Sequence, residues 1–320
     1  MRLISIFILL GAVFALPTSS PAAAGCSRSA TSAAEMNSAT IQGMGSADSF
    51  RTAALPDGRW MSVTGDTTRP GETLPAYDNS VVIWDRAGQR RVGAGNFFPR
   101  WSDGSEFWPY QWVADGSTIY VTGSRQLVRG GFDWTPLGAY IAVMTVPRCG
   151  TPTFSRYLTT PSSGLGDDAV QWYGAITKAD GWFWIHGVLD RPDWFHARDG
   201  GYIARTRNLS EPWRFWTGTA WSGSGAVPTI PVSAGGTEVS YTVHRISGVW
   251  TIVTKSGGTL ASILGTFTST SPVGPWTWTP RLTTCDLPCY LAGAAPIPTR
   301  SGRLMVQWSR HDALPAWAEI

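Results

Sequence analysis

The fold is decided by residues 48–66, which read DSFRTAALPDGRWMSVTGD. Two runs rich in apolar and β-branched residues flank a Pro-Asp-Gly turn at 56–58. Proline presets φ at the first corner of a turn, and glycine accepts the positive φ that follows. The stretch therefore predicts a β-hairpin. Because its strands are antiparallel, Asp48 and Asp66 return to the same end of that hairpin.

Similar turns recur along the chain. Their glycines lie roughly 60 residues apart, each between apolar-rich runs. The turn glycines are Gly58, Gly116, Gly181, Gly248 and Gly302. A supersecondary unit repeated at such a period is typical of a propeller or an array, so we predict an all-β, five-bladed β-propeller. The last unit has room for only three strands, and we expect residues near 40–44 to add a fourth and close the ring.

The N-terminal sequence is typical of an exported protein. One basic residue precedes an apolar run at 3–16, which is too short to span a bilayer as a helix. The small residues at 22–24 fit a cleavage site, so we expect a secreted or extracellular mature protein with no transmembrane segment. We predict three parts, namely a signal peptide at 1–24, a linker with a possible closing strand at 25–42, and the propeller at 43–320.

The four cysteines suit an oxidising compartment. Cys285 and Cys289 could close a small loop, which would leave Cys26 to pair with Cys149. Residues 23–26 also resemble a lipobox, so Cys26 could instead carry a lipid anchor, and Cys149 would then have no partner. The even number of cysteines favours the disulfide.

Charge and composition exclude some classes of partner. The formal net charge is +3 and no run of lysine or arginine occurs, so nucleic acid is not an expected partner. The chain has 36 glycines, 22 prolines and 18 tryptophans, which fits a turn-rich β protein with a large aromatic core. The cysteines and histidines lack metal-ligand spacing, so we expect no metal and no cofactor.

The repeat places acids at one mouth of the propeller, because in each blade the first strand begins and the second strand ends on the same face. Glycoside hydrolysis needs two carboxyl groups, one to protonate the leaving oxygen and one to activate water or attack the anomeric carbon. We predict catalytic roles for Asp48 and Asp66, of which one would hold the charge and raise the pKa of the other. Glu106 is the predicted acid partner, with Glu238 as the alternative. Asp48 could instead cap a turn, and Asp66 could simply end a strand.

Substrate-binding residues are predicted around the same mouth. Flat aromatic faces suit the apolar faces of sugar rings, although blade-to-blade packing also uses large aromatic side chains. A polysaccharide or oligosaccharide is therefore the expected partner. The predicted binding residues are Trp108, Gln111, Arg125, Tyr173, Asp190, Tyr290 and Arg310.

The chain resembles bacterial secreted five-bladed propellers of once-uncharacterised families, one of which was assigned endo-D-arabinanase activity. The matching motifs include LPDGRW at 55–60, GDT at 65–67, YGA at 173–175, WRFWTGTAW at 213–221 and SPVGPW at 271–276. The resemblance implies an arabinanase-like glycoside hydrolase that acts on an exported or cell-wall polysaccharide. In the last blade the sequence departs from the pattern, with Ala295-Pro296 in place of His-Pro and Ser309-Arg310 where an asparagine is expected.

A rival hypothesis is a catalytically silent propeller that binds carbohydrate or a cell-surface partner, because one fold hosts many functions. A third, a structural envelope lipoprotein, rests on Cys26 alone. The first two differ in one feature of the structure, namely whether Asp48, Asp66 and a third acid converge on one sugar-sized site.

Overall fold

The structure is a computed structural model. It describes residues 25–130, 133–166, 169–189, 197–239, 241–259, 261–283, 290–310 and 315–320. Within these residues, strands β1 to β20 form five antiparallel sheets in which neighbouring strands follow chain order. The predicted five-bladed β-propeller is therefore confirmed.

The first two blades have four strands each. Blade one contains β1 (Asp48–Ala54), β2 (Trp60–Thr67), β3 (Tyr77–Asp85) and β4 (Gly88–Arg91). Blade two contains β5 (Glu106–Asp115), β6 (Thr118–Gly130), β7 (Asp133–Thr145) and β8 (Thr153–Thr159). The β6–β7 hairpin is the longest in the described chain and extends beyond the start of β5.

The remaining blades differ in strand number. Blade three contains β9 (Val170–Ala179), β10 (Trp182–Leu189), β11 (Tyr202–Thr206), β12 (Arg214–Trp216) and β13 (Trp221–Ser222). Blade four contains β14 (Thr242–Ile246), β15 (Val249–Lys255), β16 (Ile263–Ser269) and β17 (Thr277–Thr283). Blade five contains β18 (Tyr290–Ala295), β19 (Met305–Ser309) and β20 (Pro315–Glu319). A 3₁₀ turn at Val232–Ala234 precedes blade four.

The predicted turns explain why the chain reverses where it does. All five turn glycines have a positive φ, between 63° and 84°. At the third and fourth turns, Asp180 and Ser247 also have a positive φ, of 52° and 49°. Two such residues in succession are typical of the type I′ turns that match the twist of a hairpin.

The blades pack through apolar faces. Between blades one and two, Met61, Ile83, Phe98, Phe107 and Val121 are buried in one cluster. Burying one apolar side chain of this size contributes about 1.5–3 kcal/mol to the stability of the folded state. The first strand of each blade lies innermost, where β5 contacts β9, β9 contacts β14, and β18 contacts β1. The mouth-side ends of these inner strands therefore meet around one axis.

The ring closes differently from the prediction for residues 40–44. A short helix, α1 (Ala33–Asn37), begins at a capping box formed by Ser32 and Glu35 and packs against β20. The Asn37 side chain binds both the N–H and the C=O of Trp317, which occupies the outer edge of β20. Gln42 pairs with Arg90 of β4 instead of adding a strand to the last blade. Asn37 thus provides partners for the Trp317 backbone on an edge where we expected a fourth strand.

The predicted disulfide between Cys26 and Cys149 is present, with Cα atoms 5.6 Å apart. It ties the N-terminal segment to the loop that joins β7 to β8. The predicted pair Cys285 and Cys289 lies outside the described residues. No helix in the described part of the chain has the length and apolar character needed to cross a bilayer.

Candidate active site

The first hairpin brings Asp48 and Asp66 to the same end, as predicted. Asp48 begins β1 and pairs with Gly65, the residue before Asp66. A β-bulge follows Asp48, where Ser49 has a φ of 60°, and Asp66 itself has a φ of 22°. Bulges and left-handed residues are costly and often redirect side chains at functional sites. Both aspartates therefore sit on irregular backbone at the mouth.

Asp48 is joined to the last blade by a hydrogen bond. Tyr290, at the start of β18, donates its hydroxyl to Oδ1 of Asp48 at 2.7 Å. Burial raises the pKa of Asp48, and the Tyr290 hydrogen bond opposes that rise. The tyrosine thus favours the ionised form of Asp48, whereas burial favours the neutral form.

Asp66 carries the most perturbed carboxyl group of this hairpin. Its pKa is raised to about 7, first by burial and then by the negative charges of Asp48, Glu106 and Asp78. The hydrogen bond that lowers it comes from its own backbone N–H. Asp66 of β2 therefore feels the carboxyl groups of three other strands, which are Asp48 of β1, Asp78 of β3 and Glu106 of β5.

Glu106, at the start of β5, is held by two donors. Trp108 Nε1 donates to its Oε1 at 2.8 Å, and Arg100 Nη2 donates to its Oε2 at 3.2 Å. Its pKa is nevertheless raised to about 7, chiefly by burial and also by Asp78, while Arg100 opposes the rise. Glu106 thus belongs to the same electrostatic cluster as Asp66.

Asp78 and Arg100 were not among the predicted site residues. Arg100 donates from Nε and Nη2 to the two carboxylate oxygens of Asp78, each at 2.6 Å. Asn96 Nδ2 also donates to Asp78, at 2.5 Å. Asp78 lies at the start of β3, beside the end of β2 that carries Asp66. The polar run Asp-Asn-Ser at 78–80, near the start of this strand, is the feature of the sequence that could have indicated Asp78 as a site residue.

Glu238 occupies a different environment. It is fully buried, and its oxygens accept backbone N–H groups of Leu291 at 2.7 Å, Lys255 at 3.2 Å and Ala292 at 3.3 Å. Burial raises its pKa to about 7, against the charges of Lys255 and Arg51. Its carboxyl group therefore faces the backbone of blades four and five.

Two predicted binding residues are buried among the inner strands. Gln111 donates from its amide nitrogen to the C=O of Ile176 at 3.0 Å and of Val243 at 2.8 Å. Its amide oxygen accepts the N–H of Val243 at 2.8 Å. Tyr173 is also buried, with its ring centroid 4.9 Å from that of Tyr110. These contacts link inner strands of blades two, three and four.

The two predicted arginines lie in β6 and just after β19. Arg125 donates to Asp103 and Ser105 and lies over the ring of Trp101, 4.9 Å from its centroid. Arg310 is exposed just after the end of β19. Asp190 lies outside the described residues. Of the predicted binding set, Trp108 and Tyr290 directly contact the acids.

Among the described residues, one group of side chains brings atoms that could ligate a metal close together. The grouping found is Cys26, Asp57 and Cys149, and its two sulfurs are bonded to each other. The two sulfurs are therefore occupied by the disulfide, and Oδ2 of the turn aspartate Asp57 accepts the N–H of Cys149 at 3.0 Å.

Residues 86–307 match the model of a family described as domain of unknown function (DUF5005). The chain belongs to the DUF5005 family. The match includes Arg100, Glu106 and Glu238, whereas Asp48 and Asp66 precede it. No curated protein matches this DUF5005 chain.

Solved structures share the propeller fold. A Bacteroides ovatus ATCC 8483 protein described as a "putative hydrolase" is 11% identical with a TM-score of 0.68, over 89% of this chain and 88% of that one. A GH43_1 enzyme from Xanthomonas citri is 13% identical with a TM-score of 0.54, over 89% and 90%. A third, GH43B of the Bacteroides ovatus xyloglucan PUL, is 16% identical with a TM-score of 0.50, over 84% of this chain and 49% of its own length. At such identities the likeness is one of fold.

Proposed function

We propose that this DUF5005 protein is a glycoside hydrolase that acts on an extracellular or cell-wall polysaccharide, with an arabinan-like chain as the first substrate to test. One observation carries the proposal. Asp48, Asp66 and Glu106 form a single electrostatic cluster at the mouth, in which Asp66 and Glu106 have pKa values of about 7. Hydrolysis of a glycosidic bond requires a carboxyl group that can donate a proton near neutral pH and a second carboxyl group that acts as base or nucleophile.

The two aspartates take different roles in this proposal. Asp66 is protonated in part of the molecules near neutral pH, because burial and three like charges raise its pKa to about 7. It is therefore the group that protonates the leaving-group oxygen. Asp48 accepts a hydrogen bond from the Tyr290 hydroxyl, which favours its carboxylate form, and we assign it as the group that activates water or attacks the anomeric carbon.

Glu106 is the alternative proton donor. Its two oxygens accept N–H groups from Trp108 and Arg100, which favours the carboxylate. If Asp66 is the proton donor instead, ionised Glu106 raises the pKa of Asp66. Glu106 therefore takes part in the acid–base chemistry whichever of the two residues donates the proton. We assign no chemical step to Glu238, because its oxygens accept backbone N–H groups inside the protein.

A sugar-binding surface adjoins these acids. Trp108 is half-buried and donates its indole N–H to Glu106. Its ring centroid lies 5.4 Å from that of Trp134. Trp134 pairs with Val128 on the part of the β6–β7 hairpin that extends beyond Glu106. The two indoles offer apolar area beside the acids, as expected of a subsite for a sugar ring.

The proposed location is extracellular. The Cys26–Cys149 disulfide suits an oxidising compartment. We propose that residues 1–24 direct export and are removed. A lipid anchor on Cys26 would need the sulfur that the disulfide occupies, so we propose a secreted form without that anchor.

The test is a release assay on purified mature protein. Wall polysaccharides, including arabinan and arabinogalactan, are incubated with the wild type and with an Asp48→Asn/Asp66→Asn double variant, and new reducing ends are measured. We expect release by the wild type alone. Wild-type protein that releases nothing from the whole panel yet binds a glycan measurably would establish the carbohydrate-binding function instead.

A further inference from the structure

Leu291 holds a backbone conformation that needs external support. Its φ is 56°, in the left-handed region that a leucine rarely adopts, and it marks the bulge where β18 loses register with β19. Residues in such conformations persist only where the surrounding structure fixes them. At this position the support comes from charged side chains of two other blades.

Both polar groups of the Leu291 residue are held. Its N–H donates to Oε2 of Glu238 at 2.7 Å, and its C=O accepts Nη1 of Arg51 at 2.6 Å. Glu238 also accepts the N–H of Ala292 at 3.3 Å. Glu238 and Arg51 are both almost completely buried. Charge-assisted hydrogen bonds of this kind are stronger than those between neutral groups.

The supported bulge leads directly to the proposed site. Tyr290 immediately precedes Leu291, and its hydroxyl reaches Asp48 at 2.7 Å. Rotation of the peptide at Leu291 would move the Tyr290 side chain away from this carboxylate. Glu238, just before blade four, and Arg51 of blade one therefore support the bulge in blade five from which Tyr290 reaches Asp48 of blade one.

We propose that Glu238 is a positioning residue, which fixes the left-handed turn at Leu291 and thereby holds the Tyr290 hydroxyl on Asp48. This inference rests on the proposed function, because it gives Glu238 a role in tuning the acid–base pair. It also explains why a carboxylate is buried there. Burying a charge is costly unless hydrogen bonds compensate, and here those bonds fix a strained turn.

The decisive measurement is the pKa of Asp48, which does not require activity. Protein labelled with ¹³C at aspartate carboxyl carbons is titrated by NMR, and the Asp48 signal is assigned by its loss in Asp48→Asn. Tyr290 of β18 donates to Asp48, and Asp48 acts electrostatically on Asp66 of β2, on which Glu106 and Asp78 also act. The variants compared are Tyr290→Phe, Glu238→Gln and the double variant.

A positioning role and a direct electrostatic effect of Glu238 predict opposite shifts in the pKa of Asp48 when Glu238 is replaced. Loss of the negative charge of Glu238 by itself lowers the pKa of Asp48, whereas loss of the Tyr290 hydrogen bond raises it. We expect Glu238→Gln and Tyr290→Phe each to raise the pKa of Asp48 by about 0.5 to 1, as for the loss of one hydrogen bond. The double variant should show no further rise, because both changes remove the same contact.

Two controls separate positioning from general destabilisation. Glu319→Gln makes the same chemical change on β20, and Ile185→Val removes one buried methyl group in blade three. Neither should move the pKa of Asp48. If Glu238→Gln does not fold, Glu238→Asp, which keeps the charge but withdraws it from Leu291, is titrated in its place.

The outcomes are distinct from those of the release assay. An unchanged or lowered pKa of Asp48 in the Glu238 variant, with a raised pKa in Tyr290→Phe, would overturn the positioning role. Additive rises in the double variant would overturn it as well. A wild type without hydrolytic activity but with the expected pattern of pKa values would overturn the proposed function and leave the positioning role standing.

Discussion

The Tyr290 hydroxyl donates to Asp48 across the seam where the last blade meets the first. The two residues are 242 positions apart in the chain, so this contact exists only once the ring is closed. The same seam is held by α1 against β20 and by the contact of β18 with β1. Formation of the proposed site is therefore coupled to completion of the fold.

Asp66→Asn should stabilise the protein at neutral and alkaline pH. The folded-state pKa of Asp66 is about 7, well above that of an unfolded aspartate, so its contribution to the free energy of unfolding is fully present below about pH 4 and is lost as pH rises through 7. Asparagine needs no proton and avoids this loss. We expect a gain of roughly 1–2 kcal/mol at pH 8, shared with the coupled neighbours. Urea unfolding at pH 4 and pH 8 measures it.

The matched control is Asp115→Asn, on the opposite face at the end of β5, where the carboxylate forms an ion pair with Lys178. This change should give no gain in stability at pH 8. Equal stability of Asp66→Asn and the wild type at both pH values would contradict a strained carboxyl group at the mouth.

Arg100→Gln should raise the pKa of Glu106. The guanidinium bridges Asp78 and Glu106 and lowers the pKa of Glu106 below the value that burial alone would give. Because Arg100 is about half exposed, solvent screens its charge, and we expect a rise of about 1. Titration of ¹³C-labelled glutamate carboxyl groups measures it.

Arg100→Lys is the control that keeps the positive charge but removes the planar guanidinium group. It should restore part of the effect on Glu106 but lose the paired contact with Asp78, because lysine cannot bind a carboxylate bidentately. A pKa of Glu106 that is identical in all three proteins would show that Arg100 does not tune it.

The first hairpin and its repeats could be predicted because their signals are local. A turn glycine needs a positive φ wherever it occurs, and the apolar runs beside it identify the strands. That was enough to bring Asp48 and Asp66 to one end and Glu106 to the same mouth. The pairing of Cys26 with Cys149 followed from the even number of cysteines.

The remaining site residues depend on tertiary structure. Arg100 comes from the connection between β4 and β5, and its reach to Asp78 is set by how two blades pack. Trp134 reaches the mouth because the β6–β7 hairpin is long, which no periodic signal indicates. The repeat predicts Glu238 at the start of the first strand of blade four, but β14 begins only at Thr242. Glu238 therefore precedes the strand and enters the protein interior.

The Cys26–Cys149 disulfide should supply much of the stability of the N-terminal closure. It joins residues 123 positions apart, so its removal frees a long loop in the unfolded chain. We expect the Cys26→Ser/Cys149→Ser double variant to lose about 2–4 kcal/mol of the free energy of unfolding. Equilibrium unfolding in urea measures the loss, and an unchanged midpoint would contradict it.

Cys285 and Cys289 stay predicted as a second disulfide. The same double variant provides the test, because it leaves these two as its remaining cysteines. Thiol titration of the unfolded, non-reduced variant should find neither sulfhydryl. Two titratable thiols per chain would show that the pair is reduced.

Asp48→Asn and Asp66→Asn should each abolish most of the hydrolysis while the fold is kept. Asparagine preserves the shape of aspartate but can neither carry the charge of Asp48 nor donate a proton as Asp66 does. We expect turnover to fall by ~10²–10⁴ in either variant. The turnover of the double variant should be only slightly lower than that of the less active single variant, because the effects of residues that act as one unit are not additive. The measurement is the rate of reducing-end release at pH 6 to 8, with thermal unfolding of each variant as the control for folding.

If the aspartates served only as turn or capping residues, asparagine would replace them well. Full activity in either variant at wild-type thermal stability would therefore remove that residue from the acid–base pair.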